Sequence, residues 1–219
     1  MDDTGAPERI REYAEQAVAY VQRALGVKLE YDSDTLPVMD HYLRTVPTNR
    51  AVAGDDDGGA DEAKPAIANE QTAAVQLVLA TAGAYFGEVV RRRNGGRWEL
   101  SEEQADWRVV LPTGLNFSPI GFVASAIAQS DLDDLDSELD APARMQPHVR
   151  AALDRMGAVT VEEYYSLCGR LDTLEHIHEV LVAVAAELMG DMGEEDAGQA
   201  DEDAVVAAPV ADEPSGGVN

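Results

Sequence analysis

The stretch from Asn69 to Trp98 reads NEQTAAVQLVLATAGAYFGEVVRRRNGGRW and contains the longest apolar run in the chain. Between Ala73 and Val90, apolar residues occupy nearly the whole circumference of a helix, which predicts burial on several sides. Glycine accepts the left-handed conformation past a last helical turn, so Asn94-Gly95-Gly96 predicts the helix end. We therefore expect the chain to fold around one long central helix, from Ala66 or Asn69 to Arg93.

The same helix carries Gly83 and Gly87 four residues apart on one face. Small residues at this spacing let another backbone come close. We expect either a strand or a second helix to pack against this face.

Short β-rich segments predict a small sheet beside the helix. Three candidate strands follow the glycine stop, and a fourth, VKLEY at 27–31, precedes it. A sheet of this size needs a helix on one face, and the central helix is available to cover it. The predicted fold class is α+β: a long central helix packed on a small, mostly antiparallel sheet of three or four strands, with a C-terminal helical extension. The three later strands are Arg97–Leu100, Trp107–Leu111 and Leu115–Phe117.

Apolar spacing and capping residues predict the remaining helices. Ser33 or Asp34, Ser118, Thr160 and Asp172 are the expected N-caps, because a short side-chain oxygen can accept from the first backbone N–H groups. The predicted helices run over residues 7–25, 34–46, 119–129, 146–156, 161–167 and 173–189.

Composition shifts predict the domain organisation. Residues 1–129 should form the α+β core domain, with a mobile acidic loop over 47–65 that is rich in glycine, proline and aspartate. An acidic linker over 130–143 should lead to a helical extension over 144–189. The segment from 190 to 219 is acidic and contains no lysine or arginine, which predicts a disordered tail.

The chain is strongly acidic, with a formal net charge of -26 and a pI near 4.2. Contacts to phosphates and to anionic lipids need a basic face, so we expect neither direct nucleic-acid binding nor membrane binding. Cys168 is the single cysteine, which favours a reducing compartment, and the charged N-terminus lacks the apolar core of a secretory signal. The sequence predicts a cytoplasmic protein.

Metal and cofactor signals are weak. His176 and His178 are two residues apart, so on a helix their side chains diverge by about 200° and cannot share an ion easily. Cys168 has no CxxC partner, and the nucleotide-binding and nucleophile motifs are missing. The sequence predicts no metal site, no cofactor and no catalytic residue.

Glu88 is the most informative ionisable residue, because it interrupts the apolar helix where the helix turns basic. Arg91 and Arg92 follow it by three and four residues, on the same face. One interpretation is an ion pair at the helix end. The other is a carboxylate–arginine pocket, lined by Tyr85 and Trp98, that binds a polar ligand or a loop of a partner.

The segment YFGEVVRRRNGGRW, Tyr85–Trp98, resembles a family of small bacterial α+β proteins without an assigned function. Its members share a helix of the form Y-x-G-E-V-x-R-R, followed by G-G-x-W and a short β-meander. The resemblance extends over residues 7–129. It implies the fold and carries no reaction, cofactor or catalytic residue.

Two functions from different classes are compatible with these patterns. The first is a non-enzymatic protein that acts through protein–protein contacts, as an adaptor, a regulator or an inhibitor of a basic partner. Homodimerisation through the C-terminal helices belongs to this class. The alternative is an enzyme or small-ligand sensor with a pocket around Tyr85, Glu88 and Trp98.

Overall fold

The structure, a computed structural model, describes residues 5–46, 64–132 and 136–199 of the chain. They form helices and a small sheet, so the predicted α+β class is confirmed. The helices are α1 (Glu8–Leu25), α2 (Leu36–Arg44), α3 (Lys64–Asn94), α4 (Pro119–Ala128), α5 (Gln146–Arg155), α6 (Val161–Tyr165) and α7 (Leu167–Gln199). The strands are β1 (Arg97–Glu99), β2 (Arg108–Val110), β3 (Asn116–Phe117) and β4 (Leu139–Asp140), with short 3₁₀ turns at Ser33–Thr35 and Gln104–Asp106.

Helix α1 is amphipathic and forms one wall of the core. Ile10, Ala14, Ala17 and Val21 recur at helical spacing, and all four are buried. Gly26 ends the helix with a φ of 74°, a left-handed conformation that glycine adopts without steric cost. The apolar stripe of α1 packs against α3.

Helix α3 is the predicted central helix, and it is buried from Leu79 to Arg91. The predicted burial from Ala73 was too long, because the turns over 73–78 are partly exposed. Gly83 lies against the backbone of Ile120 in α4, and Gly87 lies against the ring of Trp98 in β1. The predicted close approach of another backbone is therefore seen at Gly83, from α4, whereas Gly87 makes room for a side chain of β1.

The part of α3 from Ala73 to Asn94 is long and apolar enough to cross a membrane, by length and composition alone. Within its most apolar window, 67% of the residues are buried inside the fold. The same apolar character is typical of a core helix of a soluble domain.

The sheet has four antiparallel strands in the order β1-β2-β3-β4. Trp98 is opposite Val109, Val109 is opposite Phe117, and Phe117 is opposite Leu139, so one row of apolar residues crosses the sheet. The ring centroid of Phe117 lies 5.9 Å from that of Phe86 in α3. The sheet and the central helix therefore share an aromatic contact.

The segment VKLEY was predicted as a strand, and this prediction was wrong. Leu29 is buried, but Tyr31 has a φ of 59°, outside the extended region that a strand requires. The fourth strand is instead β4, which lies in the predicted acidic linker and pairs with β3. The β-branched and aromatic content of 27–31 and its short length favoured a strand, whereas the pairing partner of β3 is determined by tertiary contacts.

Two of the predicted caps are confirmed. The hydroxyl of Ser118 accepts from the N–H of Gly121, and that of Thr160 accepts from the N–H of Glu163. Asp32, rather than Ser33 or Asp34, caps the turn before α2. Asp172 lies inside α7, because that helix begins earlier, at Leu167.

Contacts within the chain divide it into two compact units, residues 1–181 and residues 182–219. The first unit includes the predicted linker and most of the predicted extension. In the second, α7 continues to Gln199, past the start of the predicted disordered tail. The predicted mobile loop lies almost wholly outside the described residues, as does the tail after 199.

Candidate functional site

Glu88 lies in the buried part of α3 and is 0% exposed. A carboxylate at such a position is stable only if hydrogen bonds and opposite charges replace its water. Four N–H donors surround it, and together they occupy both of its oxygens.

Arg91 provides two of these donors. Its Nε donates to Oε1 of Glu88 at 2.7 Å, and its Nη2 donates to Oε2 at 3.1 Å. Arg92 donates from Nε to Oε2 at 3.2 Å, and the indole Nε1 of Trp98 donates to Oε1 at 2.7 Å. The carboxylate is thus paired bidentately with one guanidinium and more loosely with a second.

Local sequence explains this arrangement. Arg91 and Arg92 are one helical turn after Glu88, so their side chains lie on its face. Gly95, with a φ of 70°, turns the chain back from α3 into β1, where Trp98 is the central residue. A side chain at Gly87 would overlap the indole ring, so glycine at this position lets Trp98 reach the carboxylate.

The fifth predicted site residue, Tyr85, is connected to Arg92 through the ring of Tyr31. The guanidinium of Arg92 lies 4.3 Å from the ring centroid of Tyr31, and the ring of Tyr31 lies 5.1 Å from that of Tyr85. The hydroxyls of Tyr85 and Thr35 share a hydrogen bond of 2.7 Å. We call Tyr85, Glu88, Arg91, Arg92 and Trp98 the Glu88 cluster, in which Arg91, Arg92 and Trp98 bind Glu88 directly and Tyr85 is linked to Arg92 through Tyr31.

The phenols beside this cluster are poor acids. Burial raises the pKa of Tyr31 to about 12 despite the opposing effect of Arg92, and burial also raises the pKa of Tyr85. Both therefore keep their protons at neutral pH. The geometry matches the ion-pair interpretation, because both oxygens of Glu88 accept hydrogen bonds from Arg91, Arg92 and Trp98. Ligand binding by the Glu88 cluster stays a prediction.

Arg93 connects α3 to two other elements. Its Nε and Nη2 donate to the carboxylate of Glu175 in α7 at 2.5 and 3.3 Å, and its Nη1 donates to Ser33 Oγ at 3.2 Å. The carboxylate raises the pKa of Arg93 through this hydrogen bond. The third arginine of the run thus stabilises the contact between α3 and α7.

Asp40 is a structural residue that the sequence reading missed. It is 5% exposed, and its carboxylate accepts from the backbone N–H groups of Leu167 at 2.7 Å and Cys168 at 3.2 Å. A side chain of α2 therefore caps α7 together with Ser166, whose hydroxyl accepts from the N–H of Gly169 at 2.9 Å. The only signal in the sequence was an aspartate next to apolar Met39.

The cysteine and histidines take structural positions. Burial, and after it the hydrogen bond with Asp40, raises the pKa of Cys168 to about 12, so the thiol is protonated and weakly nucleophilic. Nδ1 of His178 lies 3.0 Å from Oγ1 of Thr113, and burial lowers the pKa of this imidazole. Among the residues described, no group of three or more His, Cys, Asp or Glu side chains is arranged to hold a metal ion.

Two larger cavities lie elsewhere in the first unit, beside β4 and α5. Their volumes are about 720 and 550 Å³, and they share the lining residues Asp136, Glu138, Leu139, Val149 and Leu153. Arg170 lines the larger cavity. No pattern in the sequence singles out this arginine, because Phe122 and the acidic residues of the cavity come from a distant part of the chain.

Comparison of the chain with protein-family models, with curated proteins and with solved structures finds no match. The α+β fold and the Glu88 cluster therefore have to be interpreted from their own chemistry. The resemblance based on Tyr85–Trp98 stays a prediction.

Proposed function

We propose that this chain is a non-enzymatic protein that acts by binding another protein, and that its partner is basic. The Glu88 cluster contributes a rigid scaffold to this function. Binding then belongs to exposed side chains of residues 153–164, where apolar and acidic residues are close in sequence.

The observation that carries the proposal is a concentration of exposed apolar side chains at α5 and α6. Leu153, Val159, Val161 and Tyr164 are 41%, 49%, 65% and 48% exposed. They are four of the nine large apolar side chains that are exposed among the described residues, and all lie within residues 153–164. Single exposed apolar residues are ordinary, whereas a concentration of them marks an interaction surface. We call these four residues the 153–164 surface.

Charge supports a basic partner. Asp154, Glu162 and Glu163 are exposed within the same stretch, and the whole chain carries a net charge of -26. A field of this sign attracts a basic partner over several ångströms and repels an acidic one. The apolar residues then supply the contact area that holds the complex.

The test is affinity capture with the full chain, followed by binding measurements with the purified partner. We expect wild-type protein and the control Val27→Glu to bind a protein with a basic surface, and Val161→Glu to bind it at least about tenfold more weakly. Val27 is also exposed, at 41%, but lies far from α6 in the sequence. The complex should weaken as salt rises. Equal binding by Val161→Glu and wild type, or a partner without a basic surface, would contradict the proposal.

The second function, an enzyme or a small-ligand sensor at Tyr85, Glu88 and Trp98, has less support. A ligand there would have to displace donors that already bind both oxygens of the carboxylate. No contact described in the cluster favours it over the first function.

A further inference from the structure

Arg170 has a buried guanidinium in which two of the three nitrogens have no hydrogen-bond partner among the described residues. Its side chain lies in the first turn of α7 and is 7% exposed. Its Nε and Nη2 are shut off from solvent and have no hydrogen-bond acceptor within the described part of the chain. The guanidinium is surrounded by aromatic rings, with its Cζ 4.7, 4.5 and 5.5 Å from the ring centroids of Phe122, Tyr164 and Tyr165.

Ring faces attract a cation, but they do not satisfy its N–H groups. A buried donor without an acceptor is unfavourable, and more so when it is charged. Arg170 is therefore only partly compensated in the structure described.

The same chain shows what this edge of a guanidinium binds. Arg91 uses Nε and Nη2 to hold the carboxylate of Glu88, and Arg93 uses the same two nitrogens to hold Glu175. These are the two atoms that lack a partner in Arg170. By its geometry, the empty edge suits a carboxylate.

Arg170 also lines the cavity of about 720 Å³, a volume typical of small-molecule sites. Tyr164 lines the same cavity, is 48% exposed, and has its ring centroid 4.5 Å from the guanidinium, so it is a side chain that would have to move to admit a ligand. The unpaired group and the cavity thus lie together.

The other residues that line the cavity determine which carboxylate ligands it can bind. Asp131, Asp136 and Glu138 contribute three acidic side chains, and only Asp136 has a described ion pair, with Arg108 at 2.6 Å. A simple anion would be repelled by these carboxylates, while a molecule that also carries a cationic nitrogen would be attracted. Leu139 and Val149 add an apolar wall for its carbon chain.

We propose that this cavity binds a small molecule that combines a carboxylate with a cationic nitrogen, such as a basic amino acid or the C-terminal end of a short basic peptide. The carboxylate occupies the Nε–Nη2 edge of Arg170 after Tyr164 turns aside. The cationic nitrogen lies near Asp131 and Glu138. This site overlaps the 153–164 surface at Leu153 and Tyr164, which line the cavity, whereas Val159 and Val161 of that surface do not line it.

The test uses full-length wild-type protein and two-dimensional amide NMR, with L-arginine as the first probe. We expect saturable shifts at Glu138, Leu139 and Thr173, all of which line the cavity. L-argininamide lacks the carboxylate and glutarate lacks the cation, so each should bind at least about tenfold more weakly. Glycyl-glycyl-arginine distinguishes the two sources: stronger binding than L-arginine assigns the site to peptide ends, and weaker binding assigns it to free amino acids.

Two variants test which side chains bind the carboxylate and the cationic nitrogen of the ligand. Arg170→Met removes the guanidinium and keeps an apolar chain among the rings, so we expect a folded protein that loses L-arginine binding. Glu138→Gln should weaken L-arginine binding and leave glutarate binding unchanged or stronger. Arg155→Met is the matched control, because Arg155 is exposed on α5 and lines neither cavity.

Three results would each overturn the proposal. The first is the absence of saturable shifts with L-arginine in the wild type, and the second is equal affinity for L-argininamide. The third is unchanged L-arginine binding by a folded Arg170→Met protein. None of these results bears on the basic protein partner, which is tested by Val161→Glu.

Discussion

At the scale of single residues, Glu88 shows how a polar group can be built into an apolar helix. Its spacing from Arg91 and Arg92 was visible in the sequence, because the helical period places residues three and four apart side by side. The third donor residue, Trp98, lies on the first strand after the turn, and it could be associated with the cluster only through the expected fold. The candidate site was therefore found by sequence, while the filling of both carboxylate oxygens required the structure.

Replacing Glu88 by glutamine should destabilise the fold strongly. The change keeps the shape of the side chain but removes the negative charge between two guanidinium groups, and breaking a buried ion pair from one side costs about 3–5 kcal/mol. Urea unfolding followed by circular dichroism measures the loss. Glu102→Gln is the control, because Glu102 is exposed and its change should cost less than about 0.5 kcal/mol. Equal stability of the two variants would contradict the ion-pair interpretation of the cluster.

Cys168 should react slowly with thiol reagents in the folded protein. Its folded pKa of about 12 lies above the ordinary value of 9.0, so at pH 8 the thiolate is scarcer than in the unfolded chain. We expect alkylation at least about 100-fold slower in buffer than in urea. Because the folded pKa is raised, the thiol's contribution to stability is present below pH 9 and is lost as the pH rises through about 12. Equal alkylation rates in buffer and urea would show that burial does not raise the pKa of Cys168.

At the scale of elements, local sequence signals predicted several helix ends and strands that are present in the packed structure. The glycine turn after α3, the caps at Ser118 and Thr160, and the three strands after residue 96 follow from short-range chemistry. The prediction failed at VKLEY and at β4, because edge pairing depends on which segment reaches β3 in space. The start of α7 was also missed, since its cap comes from Asp40, far away in the sequence.

A methyl group at Gly87 should disturb the junction of α3 and β1. The added carbon would overlap the ring of Trp98, so either the indole or the helix must shift. We expect Gly87→Ala to cost about 1–3 kcal/mol, measured by thermal or urea unfolding. Gly157→Ala is the matched control, since nothing lies within 4 Å of the position of its added carbon. A neutral Gly87→Ala would show that Trp98 is not held against this face.

Removing the carboxylate of Asp40 should loosen the start of α7. Asp40→Ala leaves the N–H groups of Leu167 and Cys168 without this acceptor, which should cost about 2 kcal/mol. Faster hydrogen exchange at these two amides would identify the helix start as the affected region. Asp40→Asn keeps one accepting oxygen and should recover part of the loss. Asp154→Ala, on the exposed face of α5, should leave both measurements unchanged.

At the scale of the whole molecule, charge is the dominant property. A net charge of -26 makes the compact state repel itself, and dissolved salt screens that repulsion. Raising NaCl from about 0.05 to 0.5 M should therefore stabilise the protein by about 1 kcal/mol, seen as a higher urea midpoint. Glu88→Gln should show the same rise in urea midpoint with salt, from a lower midpoint at low salt, because Glu88 is buried. A midpoint that falls with salt would mean that surface ion pairs outweigh the repulsion.

The cap on α7 also connects the fold to the order in which the chain is synthesised. Asp40 belongs to a helix made early, yet its two backbone donors, Leu167 and Cys168, are made more than a hundred residues later. Until those residues leave the ribosome, the carboxylate lacks the two backbone donors that it has in the folded protein. The hydrogen bonding of this early helix is therefore completed only when the beginning of α7 has been synthesised.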